Sequence, residues 1–68
     1  MPETKVLEDA LSVLDEKGEL RPAQMLDVMR GRGFSQSETA EAVSYLIRNH
    51  QIEFTPERSL RPAAVAGQ

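Results

Sequence analysis

A mainly α-helical domain with a small β-hairpin, in the order helix, short strand, helix, helix, hairpin, is what this sequence predicts. Three observations carry that expectation. Apolar residues recur at three- and four-residue intervals in three separate runs, each bounded by a helix stop. Ser35-Gln36-Ser37-Glu38 has the form of a capping box, with Ser35 and Glu38 each placed to satisfy the other's backbone amide. The pattern then changes to period two at Ile52, Phe54 and, past a proline-containing turn, Leu60.

The first helix is expected from near Thr4 to Gly18. Val6, Leu7, Ala10, Leu11, Val13 and Leu14 fall on one broad face, and Gly18 suits the left-handed cap. That face is wider than a single contact needs. Its excess fits a homodimer through the first helix, or, as the more ordinary reading, simply more core. Glu19-Leu20-Arg21 is too short for a helix and reads as a minimal strand with Leu20 pointing inward, placed to pair with the hairpin. Pro22 opens the second helix, where its missing amide costs nothing, and Met25, Leu26 and Met29 form the buried side.

Gly31-Arg32-Gly33 stops the second helix, and the few residues left before Ser35 force a sharp turn with Phe34 as a hydrophobic staple. In the third helix Ala40, Val43, Leu46 and Ile47 define the apolar side, with Val43 at its centre. The helix ends at Asn49-His50, where Asn49 is expected to take the left-handed conformation. Gln51 to Thr55 and Ser59 to Arg61 then pair as antiparallel strands around Thr55-Pro56-Glu57-Arg58, Pro56 supplying the fixed backbone angle of a turn. Residues 1–62 thus read as one domain, and 63–68, uncharged and with little to bury, as a flexible tail.

Composition limits the chemistry. A chain of 68 residues buries only about 60 % of its unfolded surface, which makes self-association plausible on size alone. It contains no cysteine, so disulfides, thiolate nucleophiles and cysteine-based zinc sites are excluded. The start lacks the basic and apolar regions of a signal peptide and no run approaches membrane-spanning length, so a cytoplasmic location and no membrane contact are expected. His50 is the one histidine, and with Glu53 it makes two candidate ligands where a metal takes three or four. Gly31-Arg32-Gly33 begins like a dinucleotide loop, but Gln36 stands where the third glycine belongs. The paired acids Glu8-Asp9 and Asp15-Glu16 have no histidine or pocket to perturb them. Neither catalysis nor a cofactor is expected.

The net charge of −3 opposes strong non-specific attraction to a phosphate backbone, but it is unevenly spread. Residues 1–20 hold six acids against two lysines, a local charge of −4, whereas residues 21–68 hold six arginines against five acids, a local charge of +1. All the arginine therefore lies with the later helices and hairpin. Arginine there reads equally as an ordinary solvated surface or as a set of forked donors for phosphates and guanine edges.

Taken in order over residues 4 to 62, the layout resembles the winged helix-turn-helix family. The Ser35-to-Asn49 helix, the Gln51-Ile52-Glu53-Phe54-Thr55-Pro56 strand and the Arg58-Ser59-Leu60-Arg61 return are similar to the recognition helix and wing of small bacterial and archaeal regulators. The resemblance implies a duplex-DNA-binding transcriptional regulator or accessory factor, with its third helix in the major groove and its wing on the backbone. With Val43 at the centre of the buried face, Ser37, Glu38, Glu41, Ser44, Tyr45 and Arg48 point outward. Ser44, Tyr45 and Arg48 are then the expected readers, with Ser37 on the same arc. Arg58 and Arg61 are the expected wing contacts, and Arg32 approaches from the turn. Glu38 and Glu41 share that arc and repel phosphate, though Glu38 has a capping role. The family also includes members that bind proteins. The alternative implied is a protein-interaction module that docks on a partner, or on itself, without contacting DNA.

Overall fold

The computed structural model describes residues 3–63, so most of the expected tail, residues 64–68, lies outside the described residues. The elements are α1 (Thr4–Lys17), α2 (Pro22–Gly31), α3 (Gln36–Arg48), β1 (Ile52–Phe54) and β2 (Leu60–Pro62). Three helices followed by an antiparallel hairpin match the order read from the sequence and are compatible with a winged-helix architecture. Among the described residues no helix is long and apolar enough to cross a membrane.

Local chemistry sets most boundaries. Gly18 ends α1 at φ 83°, its amide donating to the Leu14 carbonyl at 2.7 Å, a conformation that glycine adopts without a Cβ penalty. Pro22 starts α2, and the Arg21 amide just before it donates to Gln24 Oε1 at 2.9 Å. After α2 the chain reverses at Gly33, φ 96°, and the Phe34 amide returns to the Met29 carbonyl at 3.1 Å. The capping box of α3 is formed in both directions: Glu38 N donates to Ser35 Oγ at 3.0 Å and Ser35 N to Glu38 Oε1 at 2.7 Å.

The end of α3 differs from expectation. Asn49 stays near helical backbone angles (φ −93°), and His50 takes the left-handed conformation at φ 62°. The Asn49 side chain explains the displacement. Its Nδ2 donates to the Tyr45 carbonyl at 2.8 Å, holding Asn49 on the last turn, so the chain reverses one residue later.

The hairpin pairs Ile52 with Pro62, Glu53 with Arg61 and Phe54 with Leu60, so the first strand is shorter than predicted and the second, equal in length, is shifted one residue toward the C-terminus. Leu20 joins it through one antiparallel bridge. Its amide donates to the Leu60 carbonyl at 2.9 Å and its carbonyl accepts from the Leu60 amide at 2.6 Å. This is the expected third strand reduced to a single residue.

Val6, Ala10, Val13 and Leu14 of α1 meet Met25 and Met29 of α2, Ala42 and Leu46 of α3, and Leu20, Ile52 and Leu60. Leu7 and Leu11, the remainder of the wide α1 face, are partly buried against this cluster. The buried side of α3 is rotated from the predicted one. Thr39, Ala42 and Leu46 face the core, Val43 and Ile47 are half-buried, and Ala40 is exposed. α3 packs on α1 more than on any other element, and small Ala42 at the contact allows close approach.

Thr39, polar and so outside the apolar count, is only 1 % exposed, and its hydroxyl has no hydrogen-bond partner among the described residues. A buried donor and acceptor left unpaired costs about 1–3 kcal/mol. Thr39→Val keeps the branched shape and removes that group, so it should stabilise the fold by about 1 kcal/mol and raise Tm by ~5 °C. A lowered Tm in thermal unfolding would show that the hydroxyl is satisfied.

Candidate nucleic-acid interface

The exposed side of α3 carries Gln36, Ser37, Glu38, Ala40, Glu41, Ser44 and Arg48. At about 100° per residue, anchoring Ala42 and Leu46 inward brings Ser37, Glu41, Ser44 and Arg48 onto one outer arc. All four are exposed, and Ser44 and Arg48 stand one turn apart. Tyr45 does not share that arc. It is half-buried and packs against the core cluster, because the rotation of α3 carries it toward the body of the domain. Of the three expected readers, the structure therefore brings Ser44 and Arg48 together and separates Tyr45 from them.

The arginines divide by what they face. Arg32, at the end of α2, reaches across to α1, with Nη2 at 3.6 Å from Glu16 and Nη1 at 4.0 Å from Asp9. It serves as a tie between α1 and the α2–α3 turn. Arg61 lies opposite Glu53 in the hairpin register and meets its carboxylate at 3.3 Å. Arg30 pairs with Asp27 at 3.5 Å within α2. Among the described residues, Arg21, Arg48 and Arg58 have no carboxylate within 4.0 Å. Glu41 is likewise without an ion-pair partner among the described residues, and Arg32 is directed to α1.

Arg58 occupies an unusual backbone position. Its amide donates to the Thr55 carbonyl at 2.8 Å, the Thr55 amide donates to the Ser59 carbonyl at 2.7 Å, and Ser59 N donates to Thr55 Oγ1 at 3.1 Å. The three residues between Thr55 and Ser59 thus form a tight loop whose last member, Arg58, is left-handed at φ 65°. Three-residue hairpin loops place glycine or asparagine there for steric reasons. Here the position carries an exposed guanidinium at the tip of the hairpin instead.

The site therefore offers two hydroxyls and a guanidinium on α3, a second guanidinium on the hairpin, and, between the two hydroxyls, the uncompensated carboxylate of Glu41. Such a set can grip phosphates with forked donors and present hydrogen-bonding groups to base edges. No protein-family model, no curated protein and no solved structure matches this chain.

Proposed function

We propose that this chain is a winged-helix DNA-binding protein, acting as a transcriptional regulator or accessory factor, with α3 directed into the major groove and the hairpin along the backbone. The observation that carries the reading is the pair Arg48 and Arg58. Each is exposed and, among the described residues, free of carboxylate partners, on one of the two elements that a winged helix lays on a duplex, and Arg58 sits where glycine is sterically easier. A left-handed position that carries a charged side chain at an exposed tip is a pointer to side-chain function.

Ser44 and Ser37 supply hydroxyls beside Arg48, and Glu41 faces a cytosine amine rather than a phosphate. Arg32 and Arg61 act through the fold, orienting the turn and the hairpin. The acidic α1 packs on the core side of α3, opposite the arc assigned to the duplex.

A fluorescence-anisotropy titration into random-sequence duplex tests this. With few phosphate contacts, binding should be weak, with Kd in the range of about 1–100 μM, and should fall steeply as salt rises because counterions are released on binding. Absence of binding at low salt with protein above ~100 μM would refute the reading.

A further inference from the structure

α3 presents three unlike surfaces. Thr39, Ala42 and Leu46 occupy the core side, while Ala40, Val43 and Ile47 form one wall of an open groove of about 250 Å³ between α2, α3 and the hairpin. Phe54 lines that groove and is 51 % exposed, whereas the predicted strand pattern placed it with the buried Ile52 and Leu60. The third surface, the exposed arc of Ser37, Glu41, Ser44 and Arg48, is polar along its whole length.

Glu41 stands in the middle of that arc without a role in the fold. The other acid of this helix, Glu38, is held in the capping box with Ser35. Glu41 pairs with no cation among the described residues, and the residues one turn to either side of it, Ser37, Glu38, Ser44 and Tyr45, include neither lysine nor arginine. An unpaired carboxylate on a surface that meets DNA is repelled by the phosphates. The exocyclic amines of the major groove are the groups it can bond. Of these cytosine N4 fits best, because adenine N6 adjoins the N7 acceptor, which suits a side-chain amide and repels a carboxylate. Arg48 has the converse requirement, its forked donors matching guanine O6 and N7.

We infer that α3 selects duplex sites in which a cytosine, bonded through N4 to Glu41, lies about three base pairs from a guanine bonded to Arg48. The spacing follows from the helix. At about 1.5 Å per residue, Glu41 and Arg48 are about 10 Å apart along the axis and nearly two turns apart around it. With α3 lying along the groove, that distance matches roughly three steps of about 3.4 Å on a DNA strand. Ser44, between them, accepts either base pair, since a hydroxyl both donates and accepts. This base preference rests on the duplex-binding reading of α3 and adds a discriminating residue to it. Glu41 lowers affinity for DNA at large and restores it where a cytosine amine meets the carboxylate.

Selection from a duplex pool randomised over about one helical turn, carried out at low salt with the parent protein, Glu41→Gln and Arg48→Gln, tests it. The parent should favour cytosine at one position, and guanine about three pairs away, by about tenfold each over the other bases. Glu41→Gln should move the first preference to adenine and retain the guanine. Arg48→Gln should lose the guanine and retain the cytosine. Both residues are exposed, so the circular dichroism spectra of the variants should match that of the parent. A Glu41→Gln protein that binds every duplex more tightly, with the selected bases unchanged, would make Glu41 a repulsive charge only and overturn the inference. Enrichment of no base by the parent would overturn it too. Either result leaves duplex binding standing, whereas a parent that retains no duplex from the pool overturns that reading together with the base preference.

Discussion

Reversing Arg48 and Arg58 together to glutamate is expected to reduce affinity for random-sequence duplex by about a hundredfold or more at low salt. Each guanidinium is free to make a charge-assisted contact with phosphate, of the kind worth about 1.5–3 kcal/mol, and each 1.4 kcal/mol is about tenfold in affinity. Reversal also introduces repulsion. The dependence of log affinity on log salt should become shallower by about two, one per lost phosphate contact. Lys17→Glu, exposed at the end of α1, is the control for net charge, because it alters the total without touching α3 or the hairpin. A double variant that binds as well as the parent, or a Lys17 variant that loses as much, would place the duplex elsewhere or remove it.

The largest effect on stability is expected from Leu46→Ala. Leu46 is 1 % exposed and belongs to the core cluster shared by all three helices and the hairpin. Removing such a side chain costs about 3 kcal/mol through lost burial and the cavity left behind. A domain of this length has a total stability of only about 3–10 kcal/mol, so the variant should be partly unfolded at growth temperatures. Ile47→Ala should cost about 1 kcal/mol, since Ile47 is half-buried and opens to the groove. Denaturant midpoints for the two variants therefore distinguish the observed orientation of α3 from one centred on Val43, for which Ile47 would be at least as sensitive.

What could be read from sequence and what could not separate along the range of the interactions. Gly18, Pro22, Gly33 and the Ser35–Glu38 box act within a few residues of themselves, and their consequences were legible. The orientation of α3 was not, because it depends on which face of α1 it meets and on a threonine that an apolar count omits. Asn49 and His50 were exchanged for a similar reason: a side-chain bond to the Tyr45 carbonyl decided which residue reversed the chain. Among the arginines, the Arg30–Asp27 pair lies within reach along one helix. The partners of Arg32 lie in another helix and that of Arg61 on another strand, so composition alone counted as available two cations that the fold had engaged. Phe54 shows the limit of period two, since alternation assigns a residue to a face without saying whether anything covers that face.

The bridge between Leu20 and Leu60 has a consequence for the order of assembly. A two-stranded hairpin is marginal on its own, and this one gains its third partner from a connector laid down before two of the three helices. Closing so long a loop is entropically costly until intervening elements have drawn its ends together. The helices must therefore begin to associate first, and the pairing at Leu20 arrives late, locking them. During synthesis Leu60 follows α1, α2 and α3, so the apolar sides of α1 and α3 have no complete shelter until it has left the ribosome. Loss of the last strand would in consequence leave the helices as a loosely associated and aggregation-prone set rather than a smaller folded domain.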